Sequence, residues 1–388
     1  MTPQPPSCLV RSCVFIAVAL QPAVAWWDNG HMLTAEIARQ MLTKEEVETL
    51  DGILAEWEGD FPGACDTVTA AVWPDMLKCK HPSPICKKSP SDAVDVFDDW
   101  HFDNIPYNPD GIELPRWASE AGWKRDPSAT WFLVDALETF GVSGTRFAFN
   151  LMSRFVIHIV GDLHQPLHTA EGFFDDEQYG HLLNGDQGGN LVHVKSDIEG
   201  VTNLHSLWDS GMGEYMLNWP PLDAGRKALA ANASAIIAKF PANSSVFEGR
   251  YNSHDIVACF PHTFELTQGK HCAKLFEGWA NESLELAIKY AYPGIHADGA
   301  VPAEYIRDRG SIIQQQLALG GYRLADILRF AVSRAPRVAN SNASAPTSQA
   351  RFWEALFIAS ASLNIFLVAV GLRMFCKRRK VGLLGVHA

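Results

Sequence analysis

The stretch Phe155–Ala170, FVIHIVGDLHQPLHTA, decides how the rest of the chain is read. Its apolar residues recur at helical spacing, yet His158, Asp162, His164 and His168 stand among them. Positions four apart share one face of an α-helix, so His158 and Asp162 can point at a single ion. His164 falls elsewhere on the wheel. Pro166 ends the helix and leaves His168 on the following turn, free to bend back. The same spacing recurs in HSLWD, between His205 and Asp209. Either pair alone is a weak signal, because a His/Asp pair on a helix is commonly an ordinary hydrogen-bonded pair.

Outward from that stretch, helical periodicity dominates. It runs through LTAEIARQML from Leu33, TKEEVETLDGIL with a Thr43/Glu46 capping box, SATWFLVDALETF from Ser128 and RFAFNLMSRFVIHIVGDL from Arg146. Further on it returns in CAKLFEGWANESLELAIKYAY from Cys272 and SIIQQQLALGGYRLADILRFA from Ser311. Strand signals are few, GGNLVHVKS being the best. The pattern predicts a mainly α, single helical domain over residues 26–335. Long loops interrupt it at Pro62–Pro90, Asn104–Pro115 and Glu171–Gly189, and such loops in a compact scaffold are often functional.

The 388 residues carry a formal charge of -12, which excludes a protein that grips nucleic acid through a basic groove. If phosphates are the substrate, metal ions must supply much of the positive charge. Arg11, the apolar run CVFIAVAL and AVA ahead of WWDNGH have the order of a secretory signal peptide over residues 1–25. Ala355–Leu372 is apolar and long enough to span a bilayer, within a predicted transmembrane helix at 352–372, and KRRK follows it. The expectation is a type I membrane protein at the cell surface or in the secretory pathway. A polar stalk at 336–351 precedes the span and a basic cytoplasmic tail at 373–388 follows it. Asn232, Asn243, Asn281 and Asn342 open N-x-S acceptors. Outside the signal and anchor remain Cys65, Cys79, Cys86, Cys259 and Cys272, an odd number. Short loops suggest Cys79 with Cys86 and Cys259 with Cys272, although spacing does not fix connectivity.

WWDNGH at 26–31, WPD at 73–75 and WHF at 100–102 complete the set. With them the chain resembles the zinc-dependent single-strand nuclease family of fungi and plants, and more closely the membrane-anchored 3′-nucleotidase/nucleases of kinetoplastid type, from Trp26 to about Phe330. The resemblance implies the helical fold shared by zinc nucleases and zinc phospholipases C, and three Zn2+ ions. One ion takes Asp75, His101, His158 and Asp162. A second takes His168, His205 and Asp209, and a third the Trp26 amine and carbonyl, His31 and Asp162. Mixed imidazole and carboxylate ligation suits zinc.

The implied activity is cleavage of single-stranded RNA and DNA to 5′-mononucleotides and removal of 3′-phosphates from nucleotides, with no obligate protein partner. Asp162 is a bridging ligand. Lys78, three after Asp75, lies either near the phosphate or in solvent. His164 and Gln165 are read as packing or outer hydrogen-bonding groups, and His181 and His193 as surface or hydrogen-bonded residues. GDQGGNL resembles the family's Gly-Gly-Asn segment and is expected beside the site. In one departure, Asn104 stands where the family usually has a carboxylate, and Asp103 comes one residue early. Two other readings remain open. A zinc phospholipase C shares the trinuclear plan, but has a wider gap after the first Trp and a Glu as its last ligand. A surface receptor could bind nucleic acid without cutting it; Asn104 favours this and the complete ligand set opposes it.

Overall fold

The computed structural model describes residues 26–79, 94–119, 127–259 and 269–336. The two helices that carry His31, His158 and Asp162 are buried nearly all round over several turns. Helix α1 (Asp28–Met41) buries every residue from Asn29 to Ala38, and α5 (Arg146–Leu163) every residue from Ser153 to Leu163. Neither has a polar face over these turns, and the metal-type side chains are therefore inside the protein, not on its surface.

The surrounding elements are α2 (Lys44–Leu54), α3 (Trp73–Met76), α4 (Ala129–Val142), α6 (Leu204–Asp209), α7 (Asp223–Lys239), α8 (Asp255–Cys259), α9 (Gly269–Leu286) and α10 (Ala303–Arg334). Helix α1 packs on α10, α7 and α5, while α4 packs on α5 and α9. The capping box at Thr43 and Glu46 is formed, and Ser128 and Thr145 cap α4 and α5. These are the starts that the sequence pattern predicts. Helix α10 begins eight residues before Ser311, at Ala303. Helix α7 has no clear apolar stripe in DAGRKALAANASAIIAK and buries only Leu229, Ala233 and Ile236, which is why periodicity passes over it.

The sheets are small. Strand β1 (Ile105–Tyr107) pairs in parallel with β2 (Ala170–Gly172), β3 (Phe174–Asp176) forms a hairpin with β4 (Gly180–Leu182), and β5 (Val194–Lys195) pairs with β6 (Gly299–Ala300). The segment expected as a loop at Glu171–Gly189 thus contains two strand pairings. Each strand is too short for a period-two pattern to be visible.

Arg154 ties the core to the loop that leads to the site. Its guanidinium donates to the carbonyls of Ala64 at 2.6 Å and Leu54 at 2.8 Å, and to Asn150 Oδ1 at 2.8 Å. Trp57, Phe61 and Trp73 surround it within 5.3–5.8 Å of their ring centroids. A buried cation with its hydrogens satisfied in this way fixes where residues 64–73 turn toward α5.

Cys65 and Cys79 are each in a disulfide, and Cys86, the expected partner of Cys79, lies outside the described residues. The expected bridge between Cys259 and Cys272 is not formed. Both are free, buried thiols that hydrogen-bond each other within the apolar layer around Ile256 and Phe276. Asn232, Asn243 and Asn281 are exposed. Among the described residues no helix is long and apolar enough to cross a membrane; residues 1–25, Asn342 and the apolar run Ala355–Leu372 lie outside them.

Candidate metal centre

Trp26, just ahead of α1, is 1% exposed and donates its indole Nε1–H to the carbonyl of Gly161 at 2.9 Å. Gly161 also makes room for His31, since a Cβ there would lie 2.9 Å from His31 Nδ1. His31 stacks on His158 with ring centroids 3.7 Å apart, and its Nε2 lies 3.3 Å from Asp162 Oδ1. The short helix α3 brings in Asp75, and the 3-10 segment Asp95–His101 brings in His101. Asp75 Oδ1 is 3.5 Å from His158 Nε2 and 3.7 Å from His101 Nδ1. Asp162 Oδ2 is 3.1 Å and 2.9 Å from the same two atoms.

After α5, His164 caps the helix and Pro166 opens the 3-10 turn Pro166–His168. His168 bends back as expected, with Nδ1 3.5 Å from Asp162 Oδ1. It meets His205 and Asp209 from α6, where His205 Nε2 and Asp209 Oδ2 are 3.3 Å apart. Three groups result: His31, His158 and Asp162; Asp75, His101 and His158; and His168, His205 and Asp209. Within each, one ligand atom per residue lies within 4.8 Å of the others.

These groups fit metal ions by two independent observations. His158, His168 and His205 each direct Nδ1 at a backbone carbonyl, of Ala71 at 2.6 Å, His101 at 2.8 Å and Gly188 at 2.7 Å. A carbonyl can only accept, so Nδ1 carries the hydrogen and Nε2 is turned inward. Second, His31 Nδ1 and Nε2, His101 Nε2, His168 Nε2, Asp162 Oδ1 and Asp209 Oδ2 are buried without a hydrogen-bond partner. A buried polar atom left unpaired is destabilising by about 1–3 kcal/mol. A cluster of them is explained by cations that use them as ligands.

Charge follows the same geometry. Burial lowers His31 to about 4, helped by His158, and lowers His101 to about 3, helped by Lys78. Burial also acts against a charged His158, but Asp162 and Asp75 outweigh it and raise the ring to about 10. Burial pushes Asp209 well above the usual carboxylate range, with Gln165 opposing and Asp162 and Asp75 adding to it. Asp75 and Asp162 stay well below that range despite burial, Asp75 chiefly through Lys78 and Asp162 chiefly through His158.

Lys78 is not a solvated lysine. Its side chain is 8% exposed, with Nζ 2.7 Å from Asp75 Oδ1 and 5.5 Å from the centroid of the Phe102 ring. Phe102 in turn stacks on His168 at 4.7 Å. It is a half-buried aromatic face on the centre that the sequence reading did not single out, although it belongs to the WHF motif.

Asp103 does not replace the missing carboxylate. It turns away and accepts from the hydroxyl of Thr130 at 2.6 Å and its N–H at 3.3 Å, beside a cavity of about 80 Å³ lined by Trp131, Glu277 and Asn281. Asn104 adopts a left-handed φ of 47°, which Asn tolerates better than most residues. Tethers from Asp103 N–H to His168 O (3.0 Å) and from Ile105 N–H to Thr169 O (2.8 Å) flank it. Its backbone is thereby pinned against the strand that follows His168.

Of the remaining candidates, His164 donates Nδ1–H to Val160 O at 2.7 Å and accepts at Nε2 from Arg323 at 2.8 Å. It is a packing residue, as is consistent with its place on the helical wheel. Gln165 reaches Asp209 Oδ1 at 2.6 Å. His181 is exposed and pairs with Asp175, and His193 is exposed on a bridge to Asn203.

The S1/P1 nuclease family model matches residues 26–333. Endonuclease 4 of Arabidopsis thaliana is 28% identical over 324 residues, covering 82% of this chain and 93% of the relative. Endonuclease 1 of the same plant is 24% identical over 336 residues, covering 81% and 90% respectively. Nuclease S1 of Aspergillus oryzae is 29% identical over 212 residues, covering 54% of this chain and 61% of that protein. The family match spans every one of the three ligand groups, and the chain belongs to the S1/P1 nucleases, a family of zinc-dependent hydrolases of single-stranded nucleic acid.

Proposed function

We propose that the chain is a trinuclear zinc enzyme that cleaves single-stranded RNA and DNA to 5′-mononucleotides and removes 3′-phosphates from nucleotides. The ligands of one ion are Asp75, His101, His158 and Asp162; those of the second are His168, His205 and Asp209; those of the third are the Trp26 amine and carbonyl, His31 and Asp162. The observation that carries this reading is the convergence of unpartnered, buried imidazole and carboxylate atoms in adjoining groups. Zinc bound there supplies Lewis acidity toward phosphoryl oxygens and lowers the pKa of water toward neutrality.

The chain's own groups do the rest. The Lys78 ammonium, held by Asp75, offsets negative charge gathering on the phosphate. Asn104 can donate Nδ2–H to a phosphate oxygen or accept from an attacking water, but as an amide it cannot take the water's proton. Phe102 offers a ring face on which an unpaired base can stack, a contact that a duplex does not present.

The test is hydrolysis by the purified ectodomain of polyadenylate, a 3′-mononucleotide and phosphatidylcholine vesicles. Cleavage of the first two and not the third is expected. Turnover of the phospholipid alone points to a zinc phospholipase C, and binding of polyadenylate without cleavage to a receptor; either result overturns the proposal.

We further propose that the domain is displayed outside the cell or in the secretory lumen on the Ala355–Leu372 anchor. The support is the order of signal, domain, polar stalk, apolar run and basic tail. Truncation after Ser341 should release active enzyme into the medium. A truncated chain that stays membrane-bound with its signal cleaved contradicts the anchor.

A further inference from the structure

Behind the His168, His205 and Asp209 group lie two acids that the proposed chemistry does not use. Glu171 sits in β2, three residues after His168. Asp186 begins the turn that carries Gly188. Each carboxyl takes the backbone N–H that directly follows the other acid: Glu171 Oε1 accepts from Gln187 at 2.9 Å, and Asp186 Oδ1 accepts from Gly172 at 2.7 Å. This reciprocal pair of tethers ties the strand leaving one ligand to the turn that supports another.

The turn needs holding. Gln187, Gly188 and Gly189 are consecutive left-handed residues with φ of 54°, 60° and 82°, and the first of them is not a glycine. At Gly188 a Cβ would lie 2.4 Å from the carbonyl of Leu167, which makes glycine obligatory. In this conformation Gly188 O accepts from His205 Nδ1 at 2.7 Å and Gly189 O accepts from the His205 N–H at 3.3 Å. The ring and the backbone of His205 therefore both rest on the tethered turn.

The geometry points to Glu171 and Asp186 as positioning residues for the metal group of His168, His205 and Asp209: their crossed tethers fix the Gly188 carbonyl, and that carbonyl fixes the tautomer and direction of His205. The inference rests on reading these three residues as zinc ligands. Burial, with Asp186 close by, raises Glu171 to about 8, so at neutral pH its side chain is an uncharged hydrogen-bond acceptor. Glutamine at that position preserves the acceptor oxygen.

The experiment measures zinc affinity by chelator competition in the full ectodomain, together with the melting temperature of the zinc-stripped form, for Glu171→Ala, Glu171→Gln, Asp186→Asn and His205→Ala. The expectation is that Glu171→Ala weakens one class of zinc site about 10- to 100-fold. Glu171→Gln should restore it, and the zinc loss in Glu171→Ala should exceed what any change in the melting of its stripped form accounts for. Asp186→Asn keeps an acceptor for Gly172 and should stay within a few-fold of wild type. Undiminished zinc affinity in Glu171→Ala overturns the inference. So does a loss that Glu171→Gln shares and that is matched by a lower melting temperature of the stripped protein, because that is the behaviour of a merely structural residue. His205→Ala separates the two levels: if it retains every zinc, the ligand reading itself fails, whereas loss in His205→Ala with none in Glu171→Ala removes only the positioning role.

Discussion

Gln165 donates from Nε2 to Asp209 Oδ1 at 2.6 Å while its Oε1 accepts the N–H of Leu167 at 2.6 Å. One fully buried amide thus shapes the turn that presents His168 and steers the carboxylate that faces it across the centre. Replacing Gln165 by Leu removes both functions. Zinc affinity at the His168, His205 and Asp209 group should fall about 10- to 100-fold. Gln165→Glu should be at least as harmful, because a carboxylate cannot donate to Asp209. Titration with a metal-sensitive chromophore reads the effect, and unchanged affinity in both variants contradicts the role.

Lys78 joins Asp75 at 2.7 Å and is nearly buried. Lys78→Met keeps the length of the side chain and removes its charge. The rate of polyadenylate cleavage should drop about 10²- to 10³-fold, with zinc content retained. A rate within threefold of wild type would show that the ammonium does not act on the phosphate.

The indole of Trp26 anchors the first residue of the described chain to Gly161, beside His31 and Asp162. If signal cleavage frees the Trp26 amine as a ligand, one added glycine turns it into an amide nitrogen with no basic lone pair. Ectodomain starting Gly-Trp26 should bind less zinc and hydrolyse phosphate esters much more slowly than ectodomain starting at Trp26, with its helical circular dichroism intact. Equal zinc and equal rates remove Trp26 from the centre.

Glu171 supplies a pH signature. Its pKa rises from 4.5 to about 8 through burial and the neighbouring Asp186. Between those values the folded chain holds a proton that the unfolded chain has lost, so this contribution to stability is complete below the lower value and lost as pH rises through the upper one. Glu171→Gln cannot titrate. The difference in unfolding free energy between the two proteins should therefore shift in favour of the variant from pH 4.5 to 8, on the order of a few kcal/mol. A difference that stays flat over that window contradicts a protonated Glu171.

Much of the centre is legible in the chain because helical spacing is rigid. His158 with Asp162 and His205 with Asp209 are four apart, and the structure brings each pair within 3.3 Å. Pro166 likewise foretells the turn that returns His168. Long-range contributions are not written this way. The resemblance of GDQGGNL places that segment beside the site but does not say that the Gly188 carbonyl holds His205, and the tethers of Glu171 and Asp186 depend on a strand pairing only three residues long. Asp103 is only one residue from a carboxylate at 104, but it stands before the left-handed turn at Asn104 and its carboxyl is delivered to Thr130. The pairing of Cys259 with Cys272 is read correctly as proximity and wrongly as a bond, since loop length speaks to distance and not to oxidation.

In the proposed centre Asp162 joins adjoining metal groups built by Trp26, α1, α3, α5 and α6. This bridging is tested most directly by anomalous diffraction at the zinc edge from crystals of the secreted ectodomain. Three peaks are expected, one at each of the proposed ligand sets, with Asp162 touching two of them, and loss of those two peaks in Asp162→Asn. A wild-type map with a single peak, or an Asp162→Asn map with all peaks at full height, would contradict it.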